Sequence, residues 1–162
     1  MFGNGPPVVK LTGGLLPAKR VFVDAKILNV HDRTLQREGF VAYVVEGGEL
    51  GNATPVEETE SDDAEVRAIL FAISELEDRL RRFTIVCDHE SVVSEANRRD
   101  AKKPTKLMAE LRSVLKKNRG IRLVALPTNP AHGFLTEYVN RQKGRQQVVT
   151  EKNETSGDRG IA

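Results

Sequence analysis

The sequence predicts a single α/β domain on a five-stranded mixed sheet, three antiparallel strands followed by two parallel ones, with helices flanking it. Three observations predict it. Strand-like apolar runs occupy 20–30, 40–45 and 49–56, the last two separated by a Gly47-Gly48 turn signal. A long stretch of helical spacing begins at Asp62. Beyond it, short apolar runs alternate with helical segments, the order that parallel strands need because their connections must cross over a sheet face.

The first strand is read over Arg20 to Val30, where Val21, Phe22, Val23, Ile27, Leu28 and Val30 supply β-branched and apolar residues around Asp24. After a polar stretch from His31 to Glu38, Phe40 to Val45 is a second strand and Glu49 to Val56 a third, which makes an antiparallel meander. From Asp62 to Leu80, the residues Val66, Ile69, Leu70, Ile73, Leu76 and Leu80 form one apolar stripe opposite a charged face, the mark of a helix packed on a core. Phe83 to Cys87 is a short buried strand ending at Asp88, followed by a helical segment to about Ala101. Lys103 to Lys117 places Leu107, Leu111, Val114 and Leu115 on one side of another helix, stopped by Asn118-Arg119-Gly120. Ile121 to Leu126 is the last strand, and Asn129-Pro130 opens a helix to about Arg141, with Asn as cap and Pro at the first helical position.

These elements divide the chain into a flexible lead-in over 1–18, a folded domain over 19–143 and a disordered polar tail over 144–162. At 162 residues the chain is long enough for one domain with a proper core and too short for two. Hydrophobic residues at 39% and charged residues at 30% suit a water-soluble protein, and no apolar run approaches the roughly 20 residues of a membrane-spanning helix. The first residues lack the basic, apolar and small-residue sequence of a secretory signal, so a cytoplasmic location is the default expectation. The lone Cys87 lies inside an apolar strand, where it reads as a small hydrophobe rather than a reactive thiol.

The net charge of +2 conceals a segregation along the chain. Glu46 to Asp78 holds eleven Asp and Glu against Arg67 alone, whereas Asn97 to Arg122 holds ten Lys and Arg against Asp100 and Glu110. A concentrated basic region attracts polyanions even in a nearly neutral molecule, which makes nucleic acid the expected partner. The contact residues expected there are Arg98, Arg99, Lys102, Lys103, Lys106 and Arg112, which would meet phosphates; the competing reading is a solvated helix face. With aromatics at 5% and no Trp, base-stacking platforms are not evident, so recognition by backbone shape fits better.

Three carboxylates stand where apolar elements begin or end: Asp24 after Val21-Phe22-Val23, Glu65 one turn into the Asp62 helix, and Asp88 after Ile85-Val86-Cys87. If the strands of Asp24 and Asp88 are neighbours, these acids converge and a cation would relieve their repulsion. Clustered carboxylates without a Cys or His cage suit a hard ion, Mg²⁺ or Mn²⁺, and phosphodiester hydrolysis is the natural chemistry of such a site. Two of the acids have structural alternatives. Asp62-Asp63-Ala64-Glu65 fits a capping box, and Asp88 could cap the helix after its strand. Asp24 has less of an alternative, because an acid within an apolar strand is costly unless paired, solvated or metal-bound.

With these residues in place, the stretch from about Arg20 to Arg141 resembles the ribonuclease H-like superfamily, in particular its type 1 ribonuclease H and reverse-transcriptase-like branch. That family carries an acid on its first strand, a glutamate on its first long helix and an aspartate ending its fourth strand; Asp24, Glu65 and Asp88 match in turn. The segment Asp100-Ala101-Lys102-Lys103-Pro104-Thr105-Lys106 resembles the basic substrate-binding protrusion of some members. The resemblance implies a Mg²⁺- or Mn²⁺-dependent endonuclease that cuts the RNA strand of an RNA/DNA hybrid. There are departures. The family's fourth acid sits near the start of the last helix in a pattern like Asn-x-x-Ala-Asp, but here Asn129 is followed by His132 and Gly133, with Gly133 where the aspartate belongs and His132 as a candidate substitute ligand. Asp24-Ala25-Lys26 replaces the family's usual Asp-Gly and small residue, and Lys26 stands where proofreading-type exonucleases of the superfamily have a glutamate. Two other readings follow from these departures: a catalytically weakened module that binds nucleic acid or a protein, and a structure-selective DNA nuclease of the same fold.

Overall fold

The computed structural model describes residues 19–48, 50–98, 103–127 and 129–144. Along the chain run β1 (Lys19–Leu28), β2 (Glu38–Val45), β3 (Gly51–Val56), α1 (Ser61–Leu76), β4 (Phe83–Cys87), α2 (Glu90–Asn97), α3 (Lys106–Lys117) and β5 (Ile121–Ala125). A last helix, α4, covers 131–144. The strands form one sheet in the order β3-β2-β1-β4-β5. β2 is antiparallel to both β1 and β3, while β4 is parallel to both β1 and β5. This is the mixed sheet that the order of apolar runs predicts, with β1 at its centre.

Alternation along β1 sorts its side chains onto two cores. Val21 and Val23 join Val41 and Tyr43 of β2, Ile69, Ile73 and Leu76 of α1, and Leu111 of α3 in the main core. Phe22 points to the other face, where it packs with Val86 and with Ala131 of α4. Phe40 and Ala42 meet Leu135 and Val139 of the same helix. Asp24, two residues after Phe22, shares the α4 face. The β2–β3 turn is permitted by Gly47 and Gly48, whose φ angles of 98° and 76° lie in the left-handed region that other residues avoid.

Several element ends differ from the sequence expectation, each for a local reason. The apolar stripe of α1 runs to Leu80, but the helix ends at Leu76. Arg79 and Leu80 both donate to the Leu76 carbonyl, so Leu80 reaches the core from a turn. α2 ends at Asn97 because the Asn97 side-chain amide turns to donate to the Leu123 carbonyl of β5 at 3.1 Å. α3 starts at Lys106 because the Thr105 hydroxyl accepts from the Met108 N–H at 3.2 Å, a side-chain cap. At the carboxyl end, α4 continues to residue 144, three residues past the end expected at about Arg141. The proposed lead-in over 1–18 and the tail beyond 144 lie outside the described residues. Among the described residues no helix is long and apolar enough to cross a membrane.

Candidate active site

The register of β1 and β4 brings two of the acids together. Phe22 of β1 pairs with Val86 of β4, so two residues further along each chain Asp24 stands beside Asp88. β4 stops at Cys87 while β1 runs on to Leu28, which leaves the flank of β1 uncovered where Asp24 sits. The site thus forms at the carboxyl end of a parallel strand, the position at which open α/β sheets bind ligands. Glu65 reaches the same place from α1 and the opposite face of the sheet. Its carboxylate accepts from the Cys87 thiol at 3.4 Å, and the ligand atoms of Glu65, Cys87 and Asp88 all lie within 4.8 Å of one another.

Neither capping alternative is what the structure holds. The N-cap of α1 is Glu60 with no side-chain bond, and Glu65 is buried toward the sheet at 6% exposure instead of reaching back. The N-cap of α2 is His89, again without a side-chain cap from Asp88. Asp24 is 5% exposed, and Asp88 is exposed.

The charge state of the buried pair follows from this placement. Burial and the nearby charge of Asp24 push the Glu65 carboxyl up to about 8. Burial likewise raises Asp24, with the charge of Asp88 adding to it and a hydrogen bond from His132 opposing it. Burial also drives the Cys87 thiol upward, so it stays protonated and donates to Glu65, as the small-hydrophobe reading implies. Three other carboxylates of the acidic segment are paired nearby: Glu58 with Arg67 at 3.1 Å, Glu60 with Arg37 at 3.2 Å, and Asp62 with His89 at 3.0 Å. Among the described residues no lysine or arginine pairs with Asp24, Glu65 or Asp88. Asp24 is not in that 4.8 Å group, although its charge acts on Glu65. Hard oxygen donors, two of them buried and none matched by a lysine or arginine, fit Mg²⁺ or Mn²⁺; the soft, protonated sulfur of Cys87 adds little for such an ion.

The start of α4 borders the same place. Asn129 uses both halves of its amide: Oδ1 accepts from the Ala131 N–H at 3.0 Å as the expected cap, and Nδ2 donates to the Val23 carbonyl at 2.6 Å. That second bond ties the helix start to β1 one residue before Asp24. His132, one residue past Ala131, then places Nδ1 at 3.0 Å from Asp24 Oδ2. The sequence shows the cap but not the tether, whose partner lies 106 residues away. Gly133 follows with open space around it, so a Cβ there would meet nothing within 4 Å. His89, overlooked in the sequence although it adjoins Asp88, ties the β4–α2 turn to the start of α1 through Asp62.

The basic residues are only partly placed. Arg98, Lys103 and Lys106 are exposed, whereas Arg99 and Lys102 lie outside the described residues. Arg112 instead spends its guanidinium within the fold, donating from Nε and Nη2 to the Glu95 carbonyl at 3.1 and 2.8 Å and closing the end of α2. A surface groove of about 760 Å³ between Leu28, Gly39, Val56 and Val139 includes none of the three acids.

No family model matches this chain, and no curated protein matches it in sequence. Solved structures match it in shape. The foamy viral protease-reverse transcriptase, in complex with an RNA/DNA hybrid, superposes with a TM-score of 0.59 at 18% identity, over 82% of this chain and 21% of that one. LC11-RNase H1 in complex with an RNA/DNA hybrid gives 0.57 at 15% identity, over 72% and 92%. The fold is ribonuclease H-like. The N-terminal RNase H domain of Rv2228c from Mycobacterium tuberculosis agrees, at 0.53 and 14% identity over 68% and 82%. This ribonuclease H-like domain spans about a fifth of the viral chain and most of the other two.

Proposed function

We infer that this chain is a metal-dependent endonuclease of ribonuclease H type that hydrolyses the RNA strand of RNA/DNA hybrids. The observation that carries the reading is the burial of Asp24 and Glu65 at 5% and 6% exposure beside Asp88, with no lysine or arginine paired to any of them among the described residues. Buried like charges are costly, and a divalent cation is the compensation that fits oxygen donors. Asp24, Glu65 and Asp88 would hold Mg²⁺ or Mn²⁺, which when bound supplies an activated water and charge stabilisation for in-line displacement at phosphorus.

The protein's own part is positioning and exclusion. Burial fixes the Asp24 and Glu65 carboxylates on rigid elements, so their oxygens need little reorganisation. His132 would take the fourth position, and its Nδ1 lies 3.0 Å from Asp24 Oδ2, an orienting contact of the kind that tunes a ligand carboxylate. Arg98, Lys103 and Lys106, with Arg99 and Lys102, would meet the phosphate backbone. Arg112 would set the base of that segment. Recognition by backbone suits a hybrid, whose shape differs from duplex DNA.

The test is cleavage of a hybrid labelled on each strand, with Mg²⁺ or Mn²⁺, comparing the parent with Asp24→Asn and with duplex DNA as control. Cutting of the RNA strand alone, lost in Asp24→Asn, is the expected result. Gly133 favours a second reading, a module that binds nucleic acid with little turnover, since that position offers no carboxylate. Hybrid binding without cutting in either metal would select it. Faster cutting of branched DNA than of hybrid would select the structure-selective nuclease.

A further inference from the structure

We propose that the amino ends of β1, β4 and β5 form a second nucleic-acid-binding surface, facing away from the carboxylates and able to hold a separate stretch of phosphate backbone. The inference goes beyond the hydrolase reading and takes from it only the choice of nucleic acid as the polyanion.

The surface is assembled from separate segments by the sheet register. Lys19, Phe83 and Ile121 are the first residues of the three strands and lie side by side. Arg81 and Arg82 immediately precede β4, and both are exposed. Lys116 and Lys117 end α3, and Arg119 follows in the turn into β5; all three are exposed. Arg122, the second residue of β5, is exposed too, but it alternates with the core residues Ile121 and Leu123 and so lies on the other sheet face.

Gly120 presses the two basic turns together. A Cβ on it would stand 2.5 Å from the Arg81 carbonyl oxygen and 3.4 Å from the Arg82 side chain. The glycine therefore allows a backbone approach that sets Arg119 beside Arg81 and Arg82. Among the described residues none of these cations pairs with a carboxylate, and Arg20 at the same end already takes Glu46.

The alternative is a set of cations that simply complements the carboxyl ends of α1 and α3. A helix dipole favours cations within the last turn, which suits Lys116 and Lys117. It does not explain Lys19 on a strand, or Arg81 and Arg82 beyond the end of α1. Like charges gathered without internal partners repel one another, and a polyanion removes that repulsion while releasing its own counterions.

The surface is not an extension of the acidic site. Lys19 and Asp24 lie five residues apart on one strand, roughly 17 Å at about 3.3 Å per residue, about twice the screening length at physiological salt. The cations therefore do little to tune the carboxylates. Facing the opposite end of the sheet, they are placed for a second segment of nucleic acid.

The test uses the full chain in EDTA, where no cleavage intervenes. Two RNA/DNA hybrids of about 20 base pairs carry different dyes, and energy transfer between them is recorded as protein is added. The parent is expected to bridge the two hybrids. The variant Arg81→Ser/Arg82→Ser/Arg119→Ser should lose bridging and show a slope of log K against log salt that is shallower by about 2 to 3, the value for three phosphate contacts. The matching Lys variant should retain both properties, and the Ser variant should melt at higher temperature than the parent at low salt, which separates loss of binding from loss of fold. One hybrid bound per chain, or bridging and salt slope unchanged in the Ser variant, would overturn the proposal.

Discussion

Beside the carboxyl end of β4, at the middle of β1, two carboxylates are buried and a third stands beside them, whereas around the amino ends of the same strands the cations Lys19, Arg81 and Arg82 all face water. The two ends carry charge of opposite sign in environments that make it cost very different amounts. An exposed cation is solvated, and its presence alone says little. A buried carboxylate without a partner raises its own proton affinity and weakens the fold unless something neutralises it. Burial and the charge of Asp24 push Glu65 up to about 8 for this reason. The acidic end therefore points to a bound cation through its energetics, and the basic end points to a polyanion only through its arrangement.

That contrast can be broken from the acidic side. The largest effect is expected from Asp24→Asn, which keeps the shape and removes the charge. Metal-dependent cutting of hybrid RNA should fall by more than about a hundredfold, beyond what losing an outer partner of a metal ligand costs. Single-turnover assays in Mg²⁺ and Mn²⁺ check it. An Asp24→Asn protein that cuts like the parent would place the chemistry elsewhere.

A second prediction concerns pH in the metal-free protein. Glu65 has a higher proton affinity folded than unfolded, so the unfolded chain loses its proton first as pH rises. The stabilisation is complete below about 4.5, declines across the interval up to about 8 and is absent above it. Thermal melts in EDTA should show the parent losing stability over that interval relative to Glu65→Gln, which has no charge to bury. Adding Mg²⁺ at pH 8 should restore the parent far more than the variant.

Smaller effects are expected at the fourth position. Asn129→Ala removes a helix cap and the tether to β1, so it should cost about 1 kcal/mol from the cap alone and leave His132 less well fixed against Asp24. Urea melts and the nitrogen chemical shifts of His132 check the two consequences. The smallest change is Gly133→Ala, which should stabilise the protein by about 0.5 to 1 kcal/mol because α4 passes through this position with room for a methyl group. Gly133→Asp uses the same space to supply the acid that the resemblance leads one to expect, and it should raise the metal-dependent rate if the site lacks a fourth carboxylate.

How much of this is legible in the sequence differs between the fold and the site. The sheet is legible because alternation of apolar residues and the Gly47-Gly48 turn are local signals, and because a helix between two short apolar runs implies a parallel pair. The end of α1 is not, since Leu80 keeps the helical period while the backbone has already turned. Asp24 stands out because an acid inside an apolar strand has few structural excuses. Glu65 and Asp88 do not, because the same spacings serve a helix cap, and only packing tells the two apart. Asn129 is half legible: its cap is a local pattern, but its bond to the Val23 carbonyl depends on which strand lies beneath α4. Arg112 reads as a surface cation, and only the neighbouring end of α2 gives its guanidinium a place inside the fold.

The central claim is that Asp24, Glu65 and Asp88 together hold a divalent cation, and titration calorimetry with Mn²⁺ at pH 7 in two buffers of different ionisation enthalpy tests it most directly. With its carboxyl pushed up to about 8, Glu65 is expected to be largely protonated at that pH, and a cation bound by its carboxylate would displace the proton. The expected result is saturable Mn²⁺ binding with proton release into the buffer, both lost in Asp24→Asn. Absence of binding, or binding of equal strength with no proton released and no change in Asp24→Asn, would contradict the account.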